Sequence, residues 1–310
     1  MRALVLGGYG AVGARIVTQL RSGGDVASAA GRDPARADRV VNIADASTLQ
    51  AALSDIDVVV NAAGVEDPAV AALITGHGAA LVDITASSSY VAALERLDPL
   101  RPVLLSVGLA PGLTNLLAAA VYAASPGPID LAVFLGAGER HGAAAVAWSY
   151  GLLGRRFHDP ATGGQVRNYT QPRRFDLPGQ GRRRLYRADF SDQHVLTRDL
   201  QVPVRTYFGL DSRLATAALA ALTWIPGSSS APRGLHLPGS DQWLVVARGR
   251  DGTSRWASGR VESHATAVLA ATAARAVTGL EPGVHHLHQV LTLADVPVGE
   301  GIHLPHAAPR

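Results

Sequence analysis

Ala3-Leu4-Val5-Leu6-Gly7-Gly8-Tyr9-Gly10-Ala11-Val12-Gly13 decides the fold. Four apolar residues followed at once by glycines read as a short buried strand. Gly8, Gly10 and Gly13 then fit the spacing G-x-G-x-x-G, and Val12, Ile16 and Leu20 recur at helical intervals through residues 14–20. Strand, glycine turn and helix are the three parts of a dinucleotide-binding βα unit. In such a unit Gly8 permits the tight turn, Gly10 lets the backbone approach a pyrophosphate, and Gly13 lets helix and strand pack closely. The helix start adds free N–H groups and the positive end of a dipole. In a chain with 33 glycines the triplet alone is weak. Its place at the head of a βαβ pattern gives it weight. Gly8, Tyr9, Gly10, Ala11, Val12 and Gly13 are therefore expected to hold a cofactor.

The alternation continues outward from that turn. Residues 25–30 read as a second strand, ending in Gly31-Arg32-Asp33-Pro34-Ala35-Arg36. A site for NAD usually carries a carboxylate at this strand tip to accept from the ribose 2′-OH, whereas one for NADP wants arginine for the 2′-phosphate. Gly31 followed by Arg32 favours NADP(H) over NAD(H). Asp33 reads as the N-cap of a helix that Pro34 starts. Residues 42–45 read as a third strand, with Asp45 near the adenine, and residues 49–53 as helix. Residues 57–64 form the clearest strand, whose tip (Asn61, Ala62, Ala63, Gly64) should face the ribose and nicotinamide. A helix at 68–76, a strand at 80–85 bearing Asp83 and Thr85, and a strand at 103–108 follow. Strands alternating with helices imply a doubly wound parallel sheet.

Composition bounds the rest. At 310 residues, 47% of them hydrophobic, the chain has length for about two domains and material for a large core. It has no cysteine and no lysine, so disulfides, thiolate metal sites and lysine Schiff-base chemistry are excluded. No signal peptide and no membrane-length apolar stretch are visible, and a cytoplasmic location is expected. The net charge of +3 rests wholly on arginine, with no basic-aromatic motif for nucleic acid.

After the strand at 103–108 comes Gly108-Leu109-Ala110-Pro111-Gly112-Leu113-Thr114-Asn115-Leu116. Pro111-Gly112 forces a turn, and Thr114 is expected to cap a helix through Leu116, Leu117 and Ala120. Together with the opening glycine turn and Gly31-Arg32-Asp33-Pro34, this segment resembles the saccharopine dehydrogenase/reductase-like family of NAD(P)-dependent oxidoreductases. The resemblance covers residues 1 to about 122, with Pro282-Gly283-Val284 a looser echo. It implies an N-terminal Rossmann domain, an inserted α+β domain and a helix that returns to the first. It also implies that Gly108, Pro111 and Gly112 line the nicotinamide end, with Asp83 and Thr85 near. The chain lacks the larger C-terminal part of long family members, which argues against saccharopine itself as substrate. The expected division is 1–125 for the Rossmann domain, 126–258 for the α+β substrate and dimerisation domain, and 259–310 for a returning helix and tail on the first domain.

In the second domain, residues 130–135 read as a strand of a different sheet and 143–153 as an apolar helix. Between them, Glu139-Arg140-His141 concentrates reactive side chains, and His141 is the first candidate proton donor. His194 and Tyr207 stand behind it. Residues 155–187 hold nine arginines against two acids. Most should be solvated, with one or two free to hold a substrate carboxylate. Trp148 and Trp224 read as core, and Asp211 or Ser212 starts an alanine-rich helix to about Trp224. Arg250-Asp251-Gly252 reads as a hairpin turn, and residues 263–277 as an amphipathic helix. His285-His286-Leu287-His288 matches no zinc set, so no metal is expected. The resulting expectation is an NADP-dependent oxidoreductase, a homodimer acting on a small anionic substrate by C=N reduction or amine oxidation. A carbonyl reductase on the same scaffold and a non-catalytic NADP-binding regulator are the alternatives. No nucleic-acid or membrane partner is expected.

Overall fold

A computed structural model describes residues 1–138, 143–230 and 239–305. The chain forms two compact units: residues 1–112 with 263–297, and residues 113–262 with 298–310.

The first unit runs β1 (Arg2–Leu6), α1 (Gly13–Ser22), β2 (Val26–Gly31), β3 (Arg39–Val40), α2 (Ala46–Ala52), β4 (Val58–Asn61), α3 (Pro68–Gly76), β5 (Ala80–Asp83), α4 (Ser88–Leu94) and β6 (Val103–Leu105). The continuous apolar runs Val58-Val59-Val60 and Ala80-Leu81-Val82 are buried throughout. That pattern belongs to parallel strands covered on both faces rather than to a half-exposed sheet.

The second unit runs α5 (Thr114–Ala124), β7 (Ile129–Leu135), α6 (Ala143–Gly151), β8 (Arg156–His158), β9 (Gln165–Arg167), β10 (Thr170–Leu177), β11 (Gly181–Arg187), α7 (Ser191–Leu200), β12 (Val204–Leu210), α8 (Arg213–Leu222), β13 (Gln242–Gly249) and β14 (Ser254–Arg260). The chain then returns to the first unit as α9 (Glu262–Val277), β15 (Val284–His286) and α10 (Leu287–Val290), and ends the described part with β16 (Ile302–His303).

The first sheet is parallel throughout, in the order β15-β6-β5-β4-β1-β2-β3. Its direction of winding reverses between β1 and β4, and the crevice beyond their carboxyl ends is where such sheets take ligands. The second sheet is mixed, in the order β10-β11-β12-β7-β13-β14-β16. One face packs on α5 and α7. The other carries an apolar cluster around Ala132, Phe134, Phe175, Leu185 and Val246.

Several expectations are corrected. Residues 42–45 form no strand: Asn42 and Asp45 spend their side chains on turn and cap hydrogen bonds. The third strand lies instead at Arg39–Val40. Pro34 starts a single turn, not a helix. Thr114 does not cap α5 but is its first residue, and its hydroxyl donates to Asp192 (2.9 Å). The helix α5 packs on β7, β13 and β14 and so belongs to the second unit, and β16 pairs with β14, which takes the tail there as well. Helix α9 is buried around most of its circumference rather than on one stripe. Trp224 is 62% exposed, with the Arg167 guanidinium over its ring, so it is not core. The hairpin at Gly252 forms as expected between β13 and β14.

Candidate functional site

The glycine turn leaves β1 at Gly7. This residue, not Gly8, takes the left-handed backbone (φ +70°), and a Cβ there would lie 2.8 Å from the carbonyl oxygen of Ala62. The turn is thus pressed against the loop leaving β4, which sets residues 62–64 beside it. Gly8 has no room because β2 lies behind it: a Cβ would meet the Ala29 Cα at 2.6 Å. A Cβ on Gly13 would meet the Gly7 oxygen at 2.2 Å, so α1 packs this closely on the turn only with glycine there. Gly10 faces openly, with only the Gly7 oxygen nearby at 3.1 Å. No side chain caps α1, and the N–H groups of Ala11, Val12 and Gly13 have no acceptor among the described residues. Three donors at a ten-residue helix start, beside a glycine that admits close approach, suit a pyrophosphate.

At the tip of β2, Tyr9 explains Gly31. The Tyr9 ring lies 2.4 Å from where a Cβ of residue 31 would stand, so a side chain there would have to displace the ring. The Tyr9 hydroxyl accepts from the Asp33 N–H (3.1 Å). Arg36 stacks over the ring at 4.3 Å and donates to the Tyr9 carbonyl (2.9 Å). Asp33 accepts from the Ala35 N–H (3.0 Å), the expected capping bond, here closing a turn. Arg32 is exposed and makes no hydrogen bond or ion pair among the described residues. Asp45, expected near the adenine, caps α2 through the Ser47 N–H (3.0 Å) and hydroxyl (2.7 Å), which hold its carboxyl below the ordinary value.

A buried polar knot closes the ends of β4 and β5. Asp83 accepts from the Asn61 amide (2.8 Å), the Tyr90 hydroxyl (3.2 Å) and the Thr85 N–H (2.8 Å). Burial pushes the Asp83 carboxyl up, against the pull of those donors. Burial and the neighbouring Asp83 push the Tyr90 hydroxyl up as well. The structure joins Asn61, Asp83 and Thr85 in one hydrogen-bonded knot and adds Tyr90 from α4. Ala62 and Ala63 instead abut Gly7, and Gly64 turns with φ +67°.

Beyond β6, Ser106 has φ +56°, and its Oγ lies 2.9 Å from His286 Nδ1. His286 Nε2 in turn lies 2.8 Å from a Glu95 carboxylate oxygen. This chain of three side chains ties β15 and α4 to the end of β6. The loop then folds back on itself: Leu109 N–H donates to Thr266 (3.2 Å), and a Cβ on Gly112 would lie 3.2 Å from the Ser106 carbonyl oxygen. The Ala110–Pro111 peptide is cis.

In the second unit, His141 lies outside the described residues. His194 Nε2 sits 2.7 Å from an Asp189 oxygen, both partly exposed. Tyr207 is packed in the apolar face, edge-on to Phe175 and under the Arg187 guanidinium. Arg187 is itself buried, donating to both oxygens of Asp159 and to Gln193. Burial opposes ionisation of Asp159, but the Arg187 guanidinium outweighs it and holds that carboxyl below the ordinary value. Asp192 accepts from Thr206 (2.6 Å) and Thr114 (2.9 Å), and burial pushes its carboxyl up. No helix among the described residues is long and apolar enough to cross a membrane.

No family model matches the chain, and no curated protein sequence is significantly similar to it. Among solved structures it is similar to apo saccharopine dehydrogenase (L-Glu forming) from Saccharomyces cerevisiae, at 13% identity and TM-score 0.60, over 93% of this chain and 94% of that one. An amine dehydrogenase from Mycobacterium smegmatis aligns at 12% identity and TM-score 0.43, over 100% of this chain and 97% of that one. The fold is thus that of saccharopine dehydrogenase: a parallel doubly wound sheet followed by an α+β unit.

Proposed function

We propose that the chain is an NADP-dependent oxidoreductase that moves a hydride to or from a small carboxylate-bearing substrate, as C=N reduction or amine oxidation. The observation that carries the cofactor choice is the tip of β2. There Gly31, with the Tyr9 ring over it, presents no carboxylate to a ribose 2′-OH, while Arg32 stands beside it with no partner among the described residues. A guanidinium free of internal pairing suits a 2′-phosphate. The N–H groups of Ala11, Val12 and Gly13 would hold the pyrophosphate, and Arg36, already stacked on Tyr9, would border the adenosine side.

NADP(H) would supply the hydride; the protein's part is orientation and a proton. Residues 61–64, Thr85 and the Gly108–Gly112 loop all lie at carboxyl ends of strands in the first sheet, where a nicotinamide would be received. For the proton we keep His141 first, with His194 and Tyr207 behind it. His194 has a carboxylate to orient it, whereas Tyr207 is packed among rings. The fold shared with saccharopine dehydrogenase (L-Glu forming) supports the oxidoreductase reading. The test is a screen of amino acids, each paired with oxo acids and amines, for NADPH oxidation or NADP reduction. Turnover that depends on His141 or His194 supports the reading. Tight NADPH binding with no turnover of any substrate would leave a nucleotide-binding regulator instead.

A further inference from the structure

The second unit has a cavity of about 440 Å³ at the end of its sheet opposite the segment that leads to His141. Cross-strand register explains it. Asp130, the second residue of β7, faces Arg205 on β12 and Arg248 on β13. Residues opposed across a ladder point to the same face, so the three form one row. Arg173 and Arg174 from β10 and Arg250 from the β13–β14 turn close the wall. Asp130 is engaged by Arg173. Arg205, Arg248 and Arg250 make no hydrogen bond or ion pair among the described residues, so three guanidiniums line one cavity without one.

That array repels itself unless an anion joins it. A single carboxylate would answer one guanidinium of three. The cavity's size is that of a small-molecule site, and the planar forks of arginine match phosphate oxygens two at a time. The one acid present does not cancel the field. Asp130 Oδ1 is buried with no hydrogen-bond partner, placed to accept from a protonated phosphate oxygen. We infer that this cavity binds a compact, multiply charged phosphate anion of the di- or triphosphate class. Asp130 and Gly136 lie at opposite ends of β7, roughly 20 Å apart at ~3.3 Å per residue, so the cavity is separate from the segment that leads to His141. The inference does not depend on the hydride-transfer reading.

The test is calorimetric titration of the full chain with pyrophosphate at low ionic strength. Pyrophosphate also suits the glycine turn of the first unit, so titrations are run with and without saturating NADPH. The site inferred here is the binding that NADPH leaves intact. Arg205→Gln and Arg248→Gln should each weaken it at least tenfold, and Arg182→Gln, an exposed arginine elsewhere on β11, less than twofold. Inorganic phosphate should bind more weakly than pyrophosphate. If Arg205→Gln or Arg248→Gln fails to fold, Arg250→Gln in the exposed turn gives the same reading. Three results overturn the inference: no NADPH-independent binding, binding that survives the arginine substitutions, or citrate binding as tightly as pyrophosphate. Should NADPH itself not bind, the cofactor reading fails while the arginine variants still decide this one.

Discussion

Substituting Arg32 by alanine isolates the contribution of a 2′-phosphate. Arg32 is exposed and has no hydrogen-bond or ion-pair partner among the described residues, so its removal orphans no group there. Everything lost is then lost to the ligand. A hydrogen bond to a charged group contributes about 1.5–3 kcal/mol, and for an exposed guanidinium the lower end applies, since salt screens it. That converts to a Kd for NADPH raised roughly tenfold, at about 1.4 kcal/mol per decade. NADH, which has no 2′-phosphate, should bind the variant and the parent alike. Fluorescence titration of both cofactors at fixed, low ionic strength measures this directly, and raising the salt should narrow the gap between variants. Arg36→Ala is the comparison. Arg36 holds Tyr9 through its carbonyl and its ring, so its loss should weaken both cofactors. Equal weakening of NADPH and NADH by Arg32→Ala, or none, would refute the assignment of the β2 tip to a 2′-phosphate.

Gly10→Ala should fold normally, since its Cβ meets only the Gly7 oxygen at 3.1 Å, yet lose NADPH affinity; retained affinity in a titration would remove the pyrophosphate from the turn. Gly13→Ala drives a Cβ to 2.2 Å from the Gly7 oxygen, and this overpacking should cost about 1–3 kcal/mol, read as a lowered melting temperature. His286→Leu strips partners from Ser106 and Glu95 and should cost about 1–3 kcal/mol; a double-mutant cycle with Ser106→Ala should show coupling, and additive losses would show that the contact contributes nothing. Arg187→Met leaves Asp159 buried without its counter-ion, held only by the Thr162 hydroxyl and the Ala161 N–H, at a cost of roughly 3–5 kcal/mol, and adding Asp159→Leu should recover much of it. The sign of the pH effect follows from Asp159: its folded pKa is depressed, so the stabilisation is full above the unfolded value of about 3.9 and is lost as pH falls through the folded value. Denaturant melts of the parent and of Arg187→Met at neutral and acidic pH should converge on acidification.

What was legible in the sequence was what local pattern controls. The apolar runs at β1, β4 and β5 are buried on both faces, so their composition alone separates a parallel sheet from other architectures. The glycine turn was legible because strand and helix flank it, although the positive φ falls one residue earlier than the motif suggests. The polar chain Ser106–His286–Glu95 was not, since its members lie 180 and 191 positions apart. Its one signal was a serine placed directly after Val103-Leu104-Leu105, where a buried strand ends. Tyr90 escaped although it lies seven residues from Asp83, because no pattern between them announces that this carboxyl needs another donor. Asp45 and Asn42 misled because short polar side chains that cap and turn can sit in a segment whose spacing suits a strand.

The arginine run at 155–187 shows why composition located charge without locating a field. Arg187 is buried against Asp159, Arg167 lies over Trp224, and Arg183 stacks on Phe134 while donating to the Asp211 carbonyl. Arg173 is taken up by Asp130. Of the nine, only Arg173 and Arg174 line the cavity, and Arg174 alternates to the face of β10 away from Arg173. The three arginines of the cavity that make no ion pair among the described residues come from outside the run, from β12, the end of β13 and the turn after it. They meet because β12 and β13 both pair with β7 in a register that sets Arg205 and Arg248 against Asp130. A slip of one residue in either ladder would turn that arginine to the opposite face. The pairing of strands, not the density of arginine along the chain, therefore decides where this protein presents concentrated positive charge.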